Sequence, residues 1–322
     1  MKLGVFTPLF NDLSFEEMLD QVAAKGLETV EIGTGASPGD AHLKIDTLLA
    51  SSDARKEYLQ KVADRGLSIS ALSAHGNPIS PDKNQARAHD ELLRKTIKLA
   101  SLMNVPVVNG FSGVGGGNAT DTHVNWPVIP WPTEYADAYH YQWDQVLIPY
   151  WKDINQEAGA AGVKIGIEMH GGFLVHTPAT MLRLRSEAGD NIGCNFDPSH
   201  MWWQGIDPVA AIKILGKAGA INHFHAKDTY LDQDNINMYG LTDMQPYQDV
   251  ASRAWTFRSV GEGHPMSEWS QMLAQLRIYG YDYVLSIEHE DPIMSVDEGL
   301  DRAITNLKSV MMRDQPQEMW WA

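Results

Sequence analysis

Four short apolar runs in this chain end in groups that bind cations or carry protons. One closes on Ile167-Glu168-Met169-His170 and a second on Asn195-Phe196-Asp197-Pro198-Ser199-His200. A third closes on His223-Phe224-His225-Ala226-Lys227-Asp228, and a fourth on Ser286-Ile287-Glu288-His289-Glu290-Asp291. Charged groups at the edge of an apolar core are costly unless they are paired or bound to a metal. Taken singly, each has a plain structural explanation. Glu168 suits a rim carboxylate, Asp197 before a proline a turn, His225 a hydrogen-bonded core histidine, and Glu288 a solvated acidic loop. Their joint placement points instead to a divalent-metal site of Glu168, Asp197, His225 and Glu288. Three carboxylates and one imidazole form an oxygen-rich set. It suits Mn²⁺ first, with Mg²⁺, Co²⁺ or Zn²⁺ as other candidates, and it is unlike a closed cysteine-type zinc site. His223 is assigned to the opposite face of its strand from His225.

The elements that must position these groups follow a simple pattern. Eight apolar runs, at 3–9, 29–33, 68–74, 105–111, 163–169, 192–197, 221–227 and 282–288, are read as strands. Amphipathic stretches near 14–25, 53–65, 84–103, 141–161, 177–187, 207–218, 265–279 and 295–312 are read as helices. Ser14 with Glu17, and Thr177 with Pro178, are helix starts. Gly26, Gly66, Gly162 and Gly280 are stops. Strict alternation implies parallel strands with crossover helices. The expected fold is one (β/α)8 barrel over residues 1–322, with a doubly wound sheet as the other solution. The metal-site residues then share the C-terminal mouth of the barrel.

Two strand-to-helix connections are long, at 112–140 after the fourth strand and 228–264 after the seventh. Residues 126–151 hold Trp126, Trp131, Trp143 and Trp151, four of the ten tryptophans, stiffened by Pro127, Pro130 and Pro132. That concentration fits either a satellite hydrophobic cluster or subunit interface, or a lid that offers aromatic faces to a sugar ring or a bulky aglycone.

The strand-end motifs, with Ser73-Ala74-His75-Gly76-Asn77-Pro78 and Gly261-Glu262-Gly263, resemble the xylose isomerase-like barrels over nearly the whole chain. That group includes sugar phosphate isomerases and epimerases, ketose 3-epimerases and inosose dehydratases. The resemblance implies that Glu168, Asp197, His225 and Glu288 are metal ligands. It implies that Glu168 and Glu288 shuttle a proton at a sugar carbon, and that His200 contacts substrate. The chemistry agrees. Proton removal next to a carbonyl needs a base, and an electrophile to hold the enolate oxygen. His75, His170, His200 and Lys227 are candidates for an acid or for substrate contacts, with Trp126 and Arg258 as further substrate contacts.

The long aromatic connection and the segment around His75 are also similar to large subunits of C-glycoside deglycosidases. Those cleave 3-keto glycosides with Mn²⁺ and a small partner subunit. A lyase of that kind is the alternative to an isomerase or epimerase. The barrel also serves repair endonucleases, but the net charge of −16 disfavours a nucleic-acid backbone. A non-catalytic sugar-binding role is at odds with the intact acid–histidine set.

Gly113, Gly115, Gly116 and Gly117 lack the Lys and Ser/Thr of a phosphate loop. An unphosphorylated sugar or glycoside is therefore expected, and Arg253 and Arg258 beside Trp255 are the basic residues that weigh against this. The single cysteine, Cys194, allows no internal disulfide. The N-terminus does not read as a signal peptide, and no run reaches the roughly 20 apolar residues of a membrane span. A cytoplasmic protein is expected. The terminal Met319-Trp320-Trp321-Ala322 is expected to dock onto the barrel or onto a neighbouring subunit of a homo-oligomer.

Overall fold

The computed structural model describes residues 1–314 and 316–322. Among the described residues ten strands form: β1 (Lys2–Phe6), β2 (Thr29–Gly33), β3 (Ser68–Ser73), β4 (Val107–Phe111), β5 (Lys164–Glu168), β6 (Ile192–Phe196), β7 (Ile221–Ala226), β8 (Asp228–Leu231), β9 (Trp255–Arg258) and β10 (Val284–Ile287). Eight of them close a parallel barrel in the order β1-β10-β7-β6-β5-β4-β3-β2. The expected (β/α)8 barrel is therefore the fold. The doubly wound sheet is excluded, because β1 pairs with β10 and leaves no edge.

Each expected helix forms, and the local chemistry shows why. Ser14 and Glu17 make a reciprocal capping box at the start of Phe15–Ala24. Thr177 caps Pro178–Ala188 with Thr180 as its partner. Gly162 adopts φ 69° two residues before β5, a left-handed turn that a side chain resists. Around Pro149 the helix differs from expectation. It begins at Thr133, not near 141, and passes through a wide turn at Tyr141–Leu147 before Ile148–Ala160. Pro149 has no N–H to donate, so the regular ladder is broken there and the turn widens. The connection after β4 is thus shorter than read. Of the four tryptophans at 126–151, Trp143 and Trp151 lie in the helical segment and are buried in the core, whereas Trp131 in the connection is exposed.

The connection after β7 is built rather than irregular. β8 and β9 pair antiparallel, with Asp228 opposite Arg258 and Leu231 opposite Trp255. The helix Gln233–Tyr239 lies between them. Trp203, Ala254, Trp255 and Phe257 form a second hydrophobic cluster beside the main core. The expected docking of the C-terminal tail onto the barrel does not occur. Met319, Trp320 and Trp321 are 64%, 89% and 70% exposed, and the two indoles touch edge-on. Among the described residues no helix is long and apolar enough to cross a membrane.

A candidate metal centre at the barrel mouth

Closure brings the ends of β5, β6, β7 and β10 together. Glu168, Asp197, His225 and Glu288 each offer one ligand atom, and these atoms all lie within 4.8 Å of one another. Glu168 closes β5 in the barrel wall, with its backbone beside Asn195 of β6. Asp197 caps the short helix Pro198–Trp202, where Oδ1 accepts from Ser199 N–H at 2.8 Å. Its other oxygen, Oδ2, is buried without a hydrogen bond, as are His225 Nδ1 and Glu288 Oε2. These three atoms converge without a well-formed hydrogen bond, beside only the Lys227 ammonium at 2.8 Å from Glu288 Oε2 and 3.2 Å from Asp197 Oδ2, and such a set fits a cation bound between them.

His225 is oriented by a residue that the strand-end reading missed. Its Nε2 lies 3.0 and 2.9 Å from the two oxygens of Glu31, in the middle of β2. Ser73 and Ser286 hydroxyls donate to the same carboxylate at 2.6 and 2.7 Å, and Asn109 Nδ2 at 2.9 Å. Glu31 is fully buried, and burial opposes its ionisation. The two imidazoles, His225 and His223, and the hydroxyl donors reverse that and hold it well below the usual carboxylate range. With Nε2–H donating to the Glu31 carboxylate, Nδ1 faces the cluster, the arrangement in which a carboxylate orients a metal-binding imidazole.

His223 also faces inward. Its Nδ1 is 3.0 Å from Asn195 Oδ1 and 3.8 Å from Glu31. The opposite-face assignment is therefore corrected: residues two apart on a strand share a face.

Around Glu168 the other histidines converge. His75 Nε2 is 3.0 Å from Oε2, and His200 Nε2 is 3.1 Å from Oε1. His200 Nδ1 accepts from the Trp203 indole at 3.2 Å, so its proton sits on Nε2 and points at Glu168. Burial opposes ionisation of Glu168, but the bonds from His200 and His75 and the nearby His225 imidazole outweigh it and hold its pKa well below normal. Burial, with His170 alongside, drops His200 to about 3. Glu288 is likewise opposed by burial, yet Lys227 and His225 bring it down to about 2. Burial takes Asp197 up to about 7, against the pull of Lys227.

Lys227 is fully buried, with Nζ 2.8 Å from Glu288, 2.8 Å from Glu290 and 3.2 Å from Asp197. A cavity of about 150 Å³ is lined by Phe6, His75, Glu168, His170, Lys227, Glu288 and Glu290 among others. Two candidate substrate contacts sit elsewhere. Trp126 donates its indole N–H to the Phe173 carbonyl at 2.9 Å and packs against the second cluster. Arg258 pairs with Asp291 at 2.9 Å. Neither lines this cavity.

Residues 19–310 match the family model for the xylose isomerase-like TIM barrel. The chain belongs to that family. A relative from Bacillus subtilis (strain 168), the uncharacterized protein YfiH, is 37% identical over 314 residues, 97% of this chain and 99% of its own. Among solved structures, the probable 3-DHS dehydratase AsbF from Bacillus anthracis aligns with a TM-score of 0.66 at 18% identity, over 96% of this chain and 99% of that one. A D-tagatose 3-epimerase-like protein aligns at 0.63 and 20%, over 96% and 98%. D-psicose 3-epimerase from Clostridium cellulolyticum H10 aligns at 0.58 and 15%, over 96% and 98%. At such identities the likeness to these structures is one of fold.

Proposed function

We propose that this protein is a divalent-metal-dependent isomerase or epimerase that abstracts a proton next to the carbonyl of a keto sugar or inosose. The observation that carries the reading is the convergence of Glu168, Asp197, His225 and Glu288, three of them ending in buried atoms without hydrogen bonds. A bound dication, Mn²⁺ foremost, would supply charge stabilisation to the enolate oxygen. The protein's own groups supply the proton chemistry. Glu168, ionised under three imidazoles, and Glu288, ionised beside Lys227, are the two carboxylates able to take a proton from one face and return it to the other. His75 and His200 aim Glu168, and His170 borders the cavity. The solved relatives named as 3-epimerases lend this chemistry support.

A second reading, a lyase that expels a leaving group after the same deprotonation, is favoured by one contact. The buried Lys227 ammonium lies 2.8 Å from Glu288, an acid beside a base. Solvent-deuterium wash-in separates the two. With Mn²⁺ and a panel of ketoses and inososes, an epimerase incorporates one deuterium at the carbon next to the carbonyl and releases nothing. Release of aglycone from a 3-keto glycoside assigns the lyase. Absence of exchange with every ketose and inosose sinks the first reading.

A further inference from the structure

Beside the acid–histidine cavity lies a second chamber, and His170 and Glu290 line both. It is the larger, about 340 Å³ against about 150 Å³. Tyr247, Arg253, Thr256, Phe257 and Pro292 complete its wall.

Arg253 sets its chemistry. The residue is only 3% exposed. Its guanidinium stacks 4.1 Å from the Tyr247 ring centre and 4.5 Å from that of Trp255. Nε donates to the Trp255 carbonyl at 3.0 Å, and Nη1 donates to the Gln245 carbonyl. Both acceptors are neutral. Among the described residues no carboxylate pairs with this side chain, and Nη2 has no hydrogen-bond partner. Glu290, the acid in the chamber wall, is already paired with Lys227 at 2.8 Å. Arg258, five residues on, is by contrast neutralised by Asp291.

Guanidinium keeps its charge at every working pH. Buried without a counter-charge, it is costly, and aromatic faces and carbonyls offset only part of that cost. With Nε and one N–H of Nη1 already engaged, Nη2 remains to donate to an oxygen of a carboxylate or a phosphate.

We propose that this chamber is an oxyanion subsite. Arg253 holds a carboxylate or phosphate at the far end of a substrate whose keto end lies at the Glu168–Glu288 cluster. The substrate class is thereby narrowed to an acidic or phosphorylated sugar. The inference rests on the keto-sugar reading only for where the other end of the substrate lies. The Gly-rich segment after β4 argues against a phosphate loop there. Arg253 supplies an anion site on the opposite connection, by a different device.

Three probes share one six-carbon frame and differ at C6: D-glucose, D-glucuronate and D-glucose 6-phosphate. Calorimetric titration of the full chain, with and without Mn²⁺, is expected to show at least one charged probe binding about tenfold or more tighter than glucose. Arg253→Gln is expected to level the three, and Arg253→Lys to restore part of the preference. Preference for glucuronate alone identifies a carboxylate substrate, and preference for the phosphate alone a phosphorylated one. Equal binding of all three, or no saturable binding of either charged probe, overturns the subsite. Should Arg253→Gln fail to fold by circular dichroism, the wild-type comparison and the weakening of its preference by salt still decide. Titration with Mn²⁺ alone tests the other end. Mn²⁺ binding lost with the preference retained sinks the metal reading, and the converse sinks the subsite.

Discussion

Glu288 and Glu31 flank the His225 ring from its two nitrogens, Glu288 at Nδ1 and Glu31 at Nε2. Glu288→Gln keeps the shape and removes the base. Deuterium exchange is expected to fall about 100-fold or more, with thermal unfolding near that of the parent. Exchange at the parental rate would mean that another group takes the proton. Glu31→Gln acts one step further back. An amide can offer His225 Nε2 either an oxygen or an N–H, so Nδ1 is no longer held as the free lone pair. Mn²⁺ affinity is expected to drop about 10- to 100-fold by calorimetry, and the ¹⁵N shifts of His225 are expected to report a changed tautomer. Unchanged affinity with an unchanged tautomer would reduce Glu31 to a packing residue.

These two positions also show what the chain reveals before it folds. Glu288 is legible because it ends an apolar run. Glu31 sits in the middle of Thr29-Val30-Glu31-Ile32-Gly33, and only its improbability inside a buried strand marks it. The partners that make it tolerable come from β3, β4, β7 and β10, far away in sequence.

At the scale of elements, the eight barrel strands were readable because each apolar run is bounded by a glycine stop or a polar mouth. The β8–β9 ribbon was not. Twenty-three residues separate Leu231 from Trp255, and alternation within either short strand gives no hint of its mate. Asp228 anchors the ribbon. Its Oδ2 accepts the N–H groups of Gly261, Gly263 and His264 and the indole of Trp269, at 2.9, 3.3, 3.1 and 3.1 Å. Asp228→Asn removes the charge and turns an amide N–H₂ or a single carbonyl toward four donors. A loss of about 3 kcal/mol is expected in urea unfolding. A loss under about 1 kcal/mol would show that the ribbon is held by its aromatic contacts instead.

The whole molecule carries a net charge of −16, part of it gathered at one buried cluster. A dication bound there would favour the folded state alone. Mn²⁺ at 100 times its dissociation constant should therefore add about 2.7 kcal/mol of stability, and EDTA should remove it. A scan that shows the same midpoint in Mn²⁺ and in EDTA would leave the cluster as a polar core. The exposed Met319, Trp320 and Trp321 set a second test. Exposed indoles at this density favour burial against a second copy. Sedimentation is expected to show an oligomer that dissociates when residues 316–322 are deleted, and an unchanged mass would place the tail outside any interface.

The polar plug around Glu31 has one more consequence. Glu31, Asn109, Asn195, His223 and Ser286 occupy interior barrel positions that leucine and isoleucine would fill more stably. A library screened for heat tolerance alone would drift toward hydrocarbon at these places and gain degrees while it lost the charge that turns His225 toward the mouth. Durability and activity are thus selected against each other inside a single layer of side chains.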